Sequence, residues 1–204
     1  MTNYTDEELM GFVRNQDVSA FEELFGRYKR RVFAFFYRLL WDAEEAKDCT
    51  QETFLRLWRG RAGYTPKGRF SAYIFQIAKN HFLHERQKDK SRANLKQTAA
   101  NDSQRPREDE ALPDGTSSQA MAHEIGAAIC RAVRSLPEIH RLVYVLSEGQ
   151  RLSYQEIAEI LGCPVGTVSS RKVEAIRKLR RLLEPLRDEV FGEDRQGHNS
   201  EVSK

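Results

Sequence analysis

The chain has 204 residues, 40% of them hydrophobic and 31% charged, with a formal net charge of +3. That length holds one ordinary domain or two small ones, and the apolar content is enough to bury real cores, which excludes a wholly disordered chain. A balance so near neutrality does not itself call for a polyanionic partner, so the distribution of the cations has to carry any such argument. No run of about 18 apolar residues occurs, and the opening MTNYTDEELMGF is acidic and polar where a signal peptide is cationic and then apolar. A cytoplasmic chain without membrane insertion is therefore expected. Cys49, Cys130 and Cys163 lie far apart with no C-x-x-C spacing, which supports neither a disulfide framework nor a cysteine zinc site.

In chain order, a short helix is expected at residues 5–14. Residues 19–40 place Phe21, Leu24, Phe25, Tyr28, Val32, Phe35, Phe36, Leu39 and Leu40 at three- and four-residue spacing, opened by a Ser19-x-x-Glu22 capping box. Asp42 followed by Glu45 gives a second start signal, and Ala46, Cys49, Thr50, Thr53, Phe54 and Leu57 continue an apolar stripe to about Trp58. Gly63, Pro66 and Gly68 break the periodicity of RAGYTPKGRF (61–70). Helical spacing resumes from Phe70 to about Lys88. Residues 1–88 thus read as one helical unit. Residues 89–118 contain no aromatic and no β-branched aliphatic residue, two prolines and charges of both signs; such a segment buries too little to offset its ordering entropy and reads as a flexible linker. A second helical unit spans 119–190, with helices at 121–135, from Pro137 to about Glu148, and a final pair; 191–204 reads as a disordered tail. The expected fold is all-α: two small helical domains joined by the linker, without strands or internal repeats.

The final pair, LSYQEIAEILGCPVGTVSSRKVEAIRKLR (152–180), is the most informative stretch. Ser153-x-x-Glu156 is a capping box, Ile157, Ala158, Ile160 and Leu161 form a buried side, Gly162 ends the helix, and Pro164 suits the start of the next. Two helices joined by so short a glycine-containing turn form a helix-turn-helix, whose second helix stands proud of the surface. Its buried side is expected to be Val165, Val168, Ile176, Leu179 and Leu183. Residues 165–181 hold six Lys or Arg and one Glu, a local net of 6 − 1 = +5. A helix with small polar residues at its front and cations behind them fits duplex DNA. Thr167, Ser169 and Ser170 can approach base edges, Arg171 can pair bidentately with guanine, and Arg177 and Lys178 are placed for phosphates, with Glu174 among them.

On these residues the chain resembles the extracytoplasmic-function (ECF) subfamily of sigma-70-type RNA polymerase sigma factors. LPEIHRLVYVLSEGQRLSYQEIAEILGCPVGTVSSRKVEAIRKLRRLL (136–183) resembles their region 4. SAFEELFGRYKRRVFAFFYRLLWDAEEAKDCTQETFLRLWRG (19–60), continued by FSAYIFQIAKNHF (70–82), resembles their region 2. The resemblance implies a dissociable subunit of bacterial RNA polymerase that binds promoter DNA, contacts the clamp helices of the largest subunit and the flap of the second subunit, and is restrained by an anti-sigma factor. It implies polymerase docking through Asp48, Gln51 and Glu52, which share one side of the second helix. It further implies recognition of the minus-thirty-five element by the helix-turn-helix, with Glu174 among the contacting positions, and capture of unpaired minus-ten bases by the loop 61–70 and the helix after it. The chemistry there is suitable: Tyr64, Phe70, Tyr73 and Phe75 offer flat rings, Lys67, Arg69 and Lys79 can neutralise backbone, and Asn80 can hydrogen-bond a base edge. Ser169 stands where members frequently carry lysine, Glu174 near where they carry a basic residue, Tyr73 where tryptophan is common, and Arg151 where a glycine is often found, so no promoter consensus is carried over.

Other chemistries find little support. His81 and His84 lack a third ligand and read as a surface or DNA-facing pair, and no phosphate-cradling loop or nucleophile elbow occurs, so no metal, no cofactor and no catalysis are expected. Asp42, Glu44, Glu45 and Asp48 crowd a helix start, where acids complement the macrodipole. The rival is a stand-alone helix-turn-helix regulator that binds inverted half-sites as a dimer.

Overall fold

The computed structural model describes residues 3–65, 68–97, 117–150 and 152–191, and these build α-helices joined by short turns. Helix α1 (Asp6–Arg14) starts at a Thr5–Glu8 capping box in which Thr5 Oγ1 accepts from the Glu8 amide at 3.2 Å and the Glu8 carboxylate accepts from the Thr5 amide at 2.7 Å. Helix α2 (Val18–Leu40) is capped by Asp17, whose carboxylate accepts from the Ala20 amide at 3.0 Å. The expected Ser19 cap is thus displaced: the acid two residues earlier satisfies a free helix-start amide and complements the dipole, leaving Ser19 exposed inside the first turn. Helix α3 (Ala43–Gly60) begins at Asp42, as the Asp42/Glu45 signal predicts, with the Glu45 amide donating to Asp42 at 2.9 Å. Between α2 and α3 the chain turns at Trp41, which adopts left-handed backbone (φ 57°) despite its bulk.

A 3-10 turn (Arg61–Gly63) leads to α4 (Phe70–Gln97). Helices α1 to α4 enclose a core whose largest fully buried side chains include Phe35, Phe36, Phe70, Phe75 and Phe82, each worth roughly 1.5–3 kcal/mol by area removed from water. Helix α4 runs into the stretch 89–118 expected as linker, because Arg, Lys, Gln, Ala and Leu after Glu85 are strong helix formers and each added residue adds a hydrogen bond to a helix already nucleated. Residues 98–116 of that stretch, and 192–204 of the expected tail, lie outside the described residues.

The second unit comprises α5 (Ser117–Arg134), α6 (Glu138–Tyr144), a π turn (Val145–Gly149), α7 (Tyr154–Leu161) and α8 (Val165–Phe191). Ala132, Val133 and Leu136 meet Ala175 and Leu179 in a small core against which Trp41 packs. Val165, expected on the buried side of α8, is 40% exposed, whereas Val168 is fully buried. The two units are apposed rather than separate: Leu152, Ile157, Ala158 and Ile160 around α7 join the apolar cluster of α2 to α4. Arg31 Nη2 donates to the Gln150 carbonyl at 2.9 Å across this seam, and a side chain at Gly149 would collide with the Arg38 guanidinium.

Candidate nucleic-acid interface

The helix-turn-helix is built by local rules. Ser153 Oγ accepts from the Glu156 amide at 3.2 Å, and Glu156 Oε2 accepts from the Ser153 amide at 2.9 Å. Gly162 reverses the chain in the left-handed region (φ 64°), and the Pro164 carbonyl receives the Thr167 amide at 2.9 Å to start α8. Val168 pins the new helix to its support. Of the expected base-facing residues, Ser170 is exposed and Thr167 and Ser169 are half-buried; the Ser170 hydroxyl donates to the Thr167 carbonyl at 3.1 Å. Arg171 is half-buried, with Nη1 3.7 Å from Cys163 Sγ, so its guanidinium rests on the turn. Behind it, Arg177 pairs with Glu174, Lys178 is half-buried, and Arg180 and Arg181 are exposed. Lys172 pairs with Glu148 at 2.7 Å and lies 5.2 Å from the Tyr154 ring centroid, and the hydrogen bond to Glu148 raises its pKa above the usual lysine value.

The residues expected to hold single strand are distributed unevenly. Asn80 is exposed on α4, and the Arg69 side chain is 79% exposed, 3.9 Å from Glu156. Lys79 is half-buried, and desolvation pushes its pKa down. Tyr73 is half-buried, with its ring 4.8 Å from that of Tyr64. Tyr64 is only 3% exposed, and among the described residues its hydroxyl has no hydrogen-bond partner. Burial pushes both phenols up in pKa. Phe70 and Phe75 are fully buried and serve the core, which corrects their reading as open flat surfaces. Lys67 lies outside the described residues. His81 is likewise buried and meets the Phe36 ring at 6.0 Å, so it does not form a surface pair with His84. The described residues contain no group of three or more His, Cys, Asp or Glu able to hold a metal ion.

On α3, Asp48 and Gln51 are exposed, while Glu52 is half-buried and bound to Arg56 at 2.9 Å and Arg59 at 3.7 Å. The Arg56 hydrogen bond holds the Glu52 carboxyl below its usual pKa. Beside Gln51 runs an apolar groove of about 690 Å³ between α2 and α3, which includes Phe25 and Leu55. The sequence offered no signal for that groove, because its aromatic residues fit the buried stripe equally well.

Residues 24–92 match the family model of sigma-70 region 2, and residues 132–181 match that of sigma-70 region 4. The chain is 30% identical over 192 residues to the RNA polymerase sigma-H factor of Pseudomonas aeruginosa, a match covering 91% of this chain and 97% of that protein. It is 30% identical over 176 residues to the ECF RNA polymerase sigma factor SigW of Bacillus subtilis, covering 85% and 94%. The chain belongs to the ECF family of RNA polymerase sigma factors.

Two solved structures share the fold of this sigma factor. The sigma factor RpoE in complex with the anti-sigma factor NepR from Bartonella quintana has a TM-score of 0.62 at 21% identity, covering 80% of this chain and 96% of that one. CnrH in complex with the cytosolic domain of CnrY has a TM-score of 0.64 at 22% identity, covering 88% and 97%. In this sigma factor the region 2 match falls on α2 to α4 and the region 4 match on α5 to α8. Sigma factors are initiation factors rather than enzymes, and the two regions in this order displace the stand-alone regulator. Among the described residues no helix is long and apolar enough to cross a membrane.

Proposed function

We propose that this sigma factor acts in the cytoplasm, binding core RNA polymerase and dividing promoter recognition between its two units. The first unit, residues 1–88, docks on the clamp helices of the largest subunit through Asp48, Gln51 and Glu52. It then captures unpaired minus-ten bases with Arg69, Lys79, Asn80 and Tyr73, whose ring rests on the buried Tyr64, and with Lys67. The second unit, residues 119–190, reads the minus-thirty-five element with Thr167, Ser169, Ser170 and Arg171. Arg177 and Lys178 lie toward phosphates, Glu174 pairs with Arg177 one turn earlier on α8, and the same unit leans on the flap of the second subunit. Residues 89–118 connect the two, so that anchoring both on one enzyme raises their effective concentration at the two DNA elements.

The observation that carries this reading is the exposed cationic α8, delivered by a capped helix and a left-handed glycine turn. Control comes from an anti-sigma protein, for which the apolar groove beside Gln51 is a suitable seat. Open-complex formation with core enzyme tests the division of labour. Asn80→Ala abolishes opening while leaving duplex minus-thirty-five binding unchanged; opening at the normal level in that variant removes the strand-capture role from α4.

A further inference from the structure

A cavity of about 920 Å³ lies where α2 meets the turn before α7, within the roughly 300–1,000 Å³ of small-molecule sites. Helix α2 lines it with Arg30, Arg31 and Ala34, and the second unit with Gly149, Gln150 and Leu152. Gln150 is the anomaly. It is only 3% exposed, yet neither its amide nitrogen nor its amide oxygen has a hydrogen-bond partner among the described residues. Buried amides are normally paired, because leaving a donor and an acceptor unmet away from water is costly. Its backbone is nonetheless fixed, since Arg31 Nη2 donates to the Gln150 carbonyl at 2.9 Å.

The charges around the cavity are unequally committed. Asp6 accepts from Arg27 and from the Tyr28 hydroxyl, and Glu7 accepts from the Phe70 amide at 2.8 Å. Glu156 accepts from the Ser153 amide and the Ser71 hydroxyl, each at 2.9 Å, and faces Arg69 at 3.9 Å. The carboxylates are therefore occupied. The cations of α2 are not: Arg30 and Arg38 are exposed and have no acid partner among the described residues, and the Arg38 guanidinium abuts Gly149 at the same wall. Arg31 lies with its guanidinium 5.1 Å from the Tyr28 ring centroid and keeps further N–H groups beyond the one on Gln150. What the cavity leaves unmet is positive charge on one side and an adjacent donor and acceptor on the other. A phosphate answers the first. The N6/N7 edge of adenine answers the second, because a glutamine amide can pair with it through both atoms.

We propose that this cavity binds a nucleoside phosphate, with the phosphates on Arg30 and Arg31 and the base edge on Gln150. Both amide atoms of Gln150 are shut from solvent, so the side chain changes rotamer as the base enters. The site draws on both helical units, so its occupant stabilises their apposition by mass action. None of this depends on which residues read the promoter.

The test is calorimetric titration of the full-length chain with ADP and, separately, with inorganic pyrophosphate at one ionic strength. ADP binds once per chain and about fivefold or more tighter than pyrophosphate, the least that one bidentate base contact supplies, and it raises the melting temperature. Gln150→Leu brings ADP down to the affinity of pyrophosphate and leaves pyrophosphate unchanged. Arg30→Ala, at an exposed position where folding is not at stake, weakens both probes by about fivefold or more. Melting curves without ligand confirm that each variant is folded. Absence of saturable ADP binding at millimolar concentration, equal affinity for the two probes in the parent chain, ADP binding undiminished in either variant, or loss of both probes alike in Gln150→Leu overturns the proposal.

Discussion

Gly162 is the hinge on which α8 is aimed, and its replacement by alanine separates backbone conformation from packing. The residue holds φ 64° and ψ 40°, and a Cβ there would meet nothing within 4 Å, so no clash or cavity confuses the outcome. What remains is the left-handed penalty of an L-residue, about 1–2 kcal/mol. Gly26 provides the opposite case. It lies inside α2, is exposed, and a Cβ there also meets nothing within 4 Å, so Gly26→Ala gains about 0.5–1 kcal/mol by restricting the unfolded chain. For a chain of this size about 2–4 °C accompanies each kcal/mol, so Gly162→Ala lowers Tm by about 2–8 °C and Gly26→Ala raises it by about 1–4 °C. Urea titration should show the same order as opposite shifts in midpoint at constant slope. Gly162→Asn, which tolerates left-handed backbone, should fall between Gly162→Ala and the parent. A neutral or stabilising Gly162→Ala would refute the left-handed turn, and with it the placement of α8.

Other outcomes follow from the same geometry. Burial, with a smaller contribution from Arg56, lowers the His81 pKa against the opposing pull of Glu85 and Glu52. The unfolded chain then takes up a proton that the folded chain refuses, so stability is full above the ordinary histidine value of about 6.5 and declines as pH falls through it; His81→Phe should flatten that part of a urea-midpoint profile, and an unchanged slope would place the proton elsewhere. Arg171→Ala should weaken binding to one preferred duplex by about 1–3 kcal/mol more than binding to random DNA, and equal loss on both would remove it from base reading. With about four phosphates neutralised by the second unit, log affinity should fall with log salt at a slope of about −3.6, and Arg177→Ala should bring it to about −2.7; an unaltered slope would detach Arg177 from phosphate.

What could be read in advance was local. The Ser153–Glu156 box, the Gly162 stop and the Asp42 start each follow from groups within four residues of one another, and the structure forms all three. The Ser19 start fails for an equally local reason, since Asp17 supplies a competing cap and the turn before it depends on Gln16 in left-handed backbone. Phe70, Phe75 and His81 mark a different boundary. Helical spacing says that they share faces of α4, but whether a face meets core or solvent is decided by α2 and α3, far away in sequence. The docking of α7 on α4 is likewise invisible, because the apolar side of α7 is equally consistent with burial inside the second unit alone. Trp41 carries no signal at all for the left-handed cap it provides, since a bulky side chain is disfavoured there and its contacts with the Tyr37 ring and with the α5–α8 core, far away in sequence, offset the cost.

The most direct measurement is run-off transcription with purified chain and core RNA polymerase on promoter-bearing fragments, alongside co-elution of the two. The account predicts a stable complex and discrete transcripts that vanish when either promoter element is scrambled. A chain that never joins core enzyme, and instead sits alone as a dimer on an inverted repeat, would contradict it.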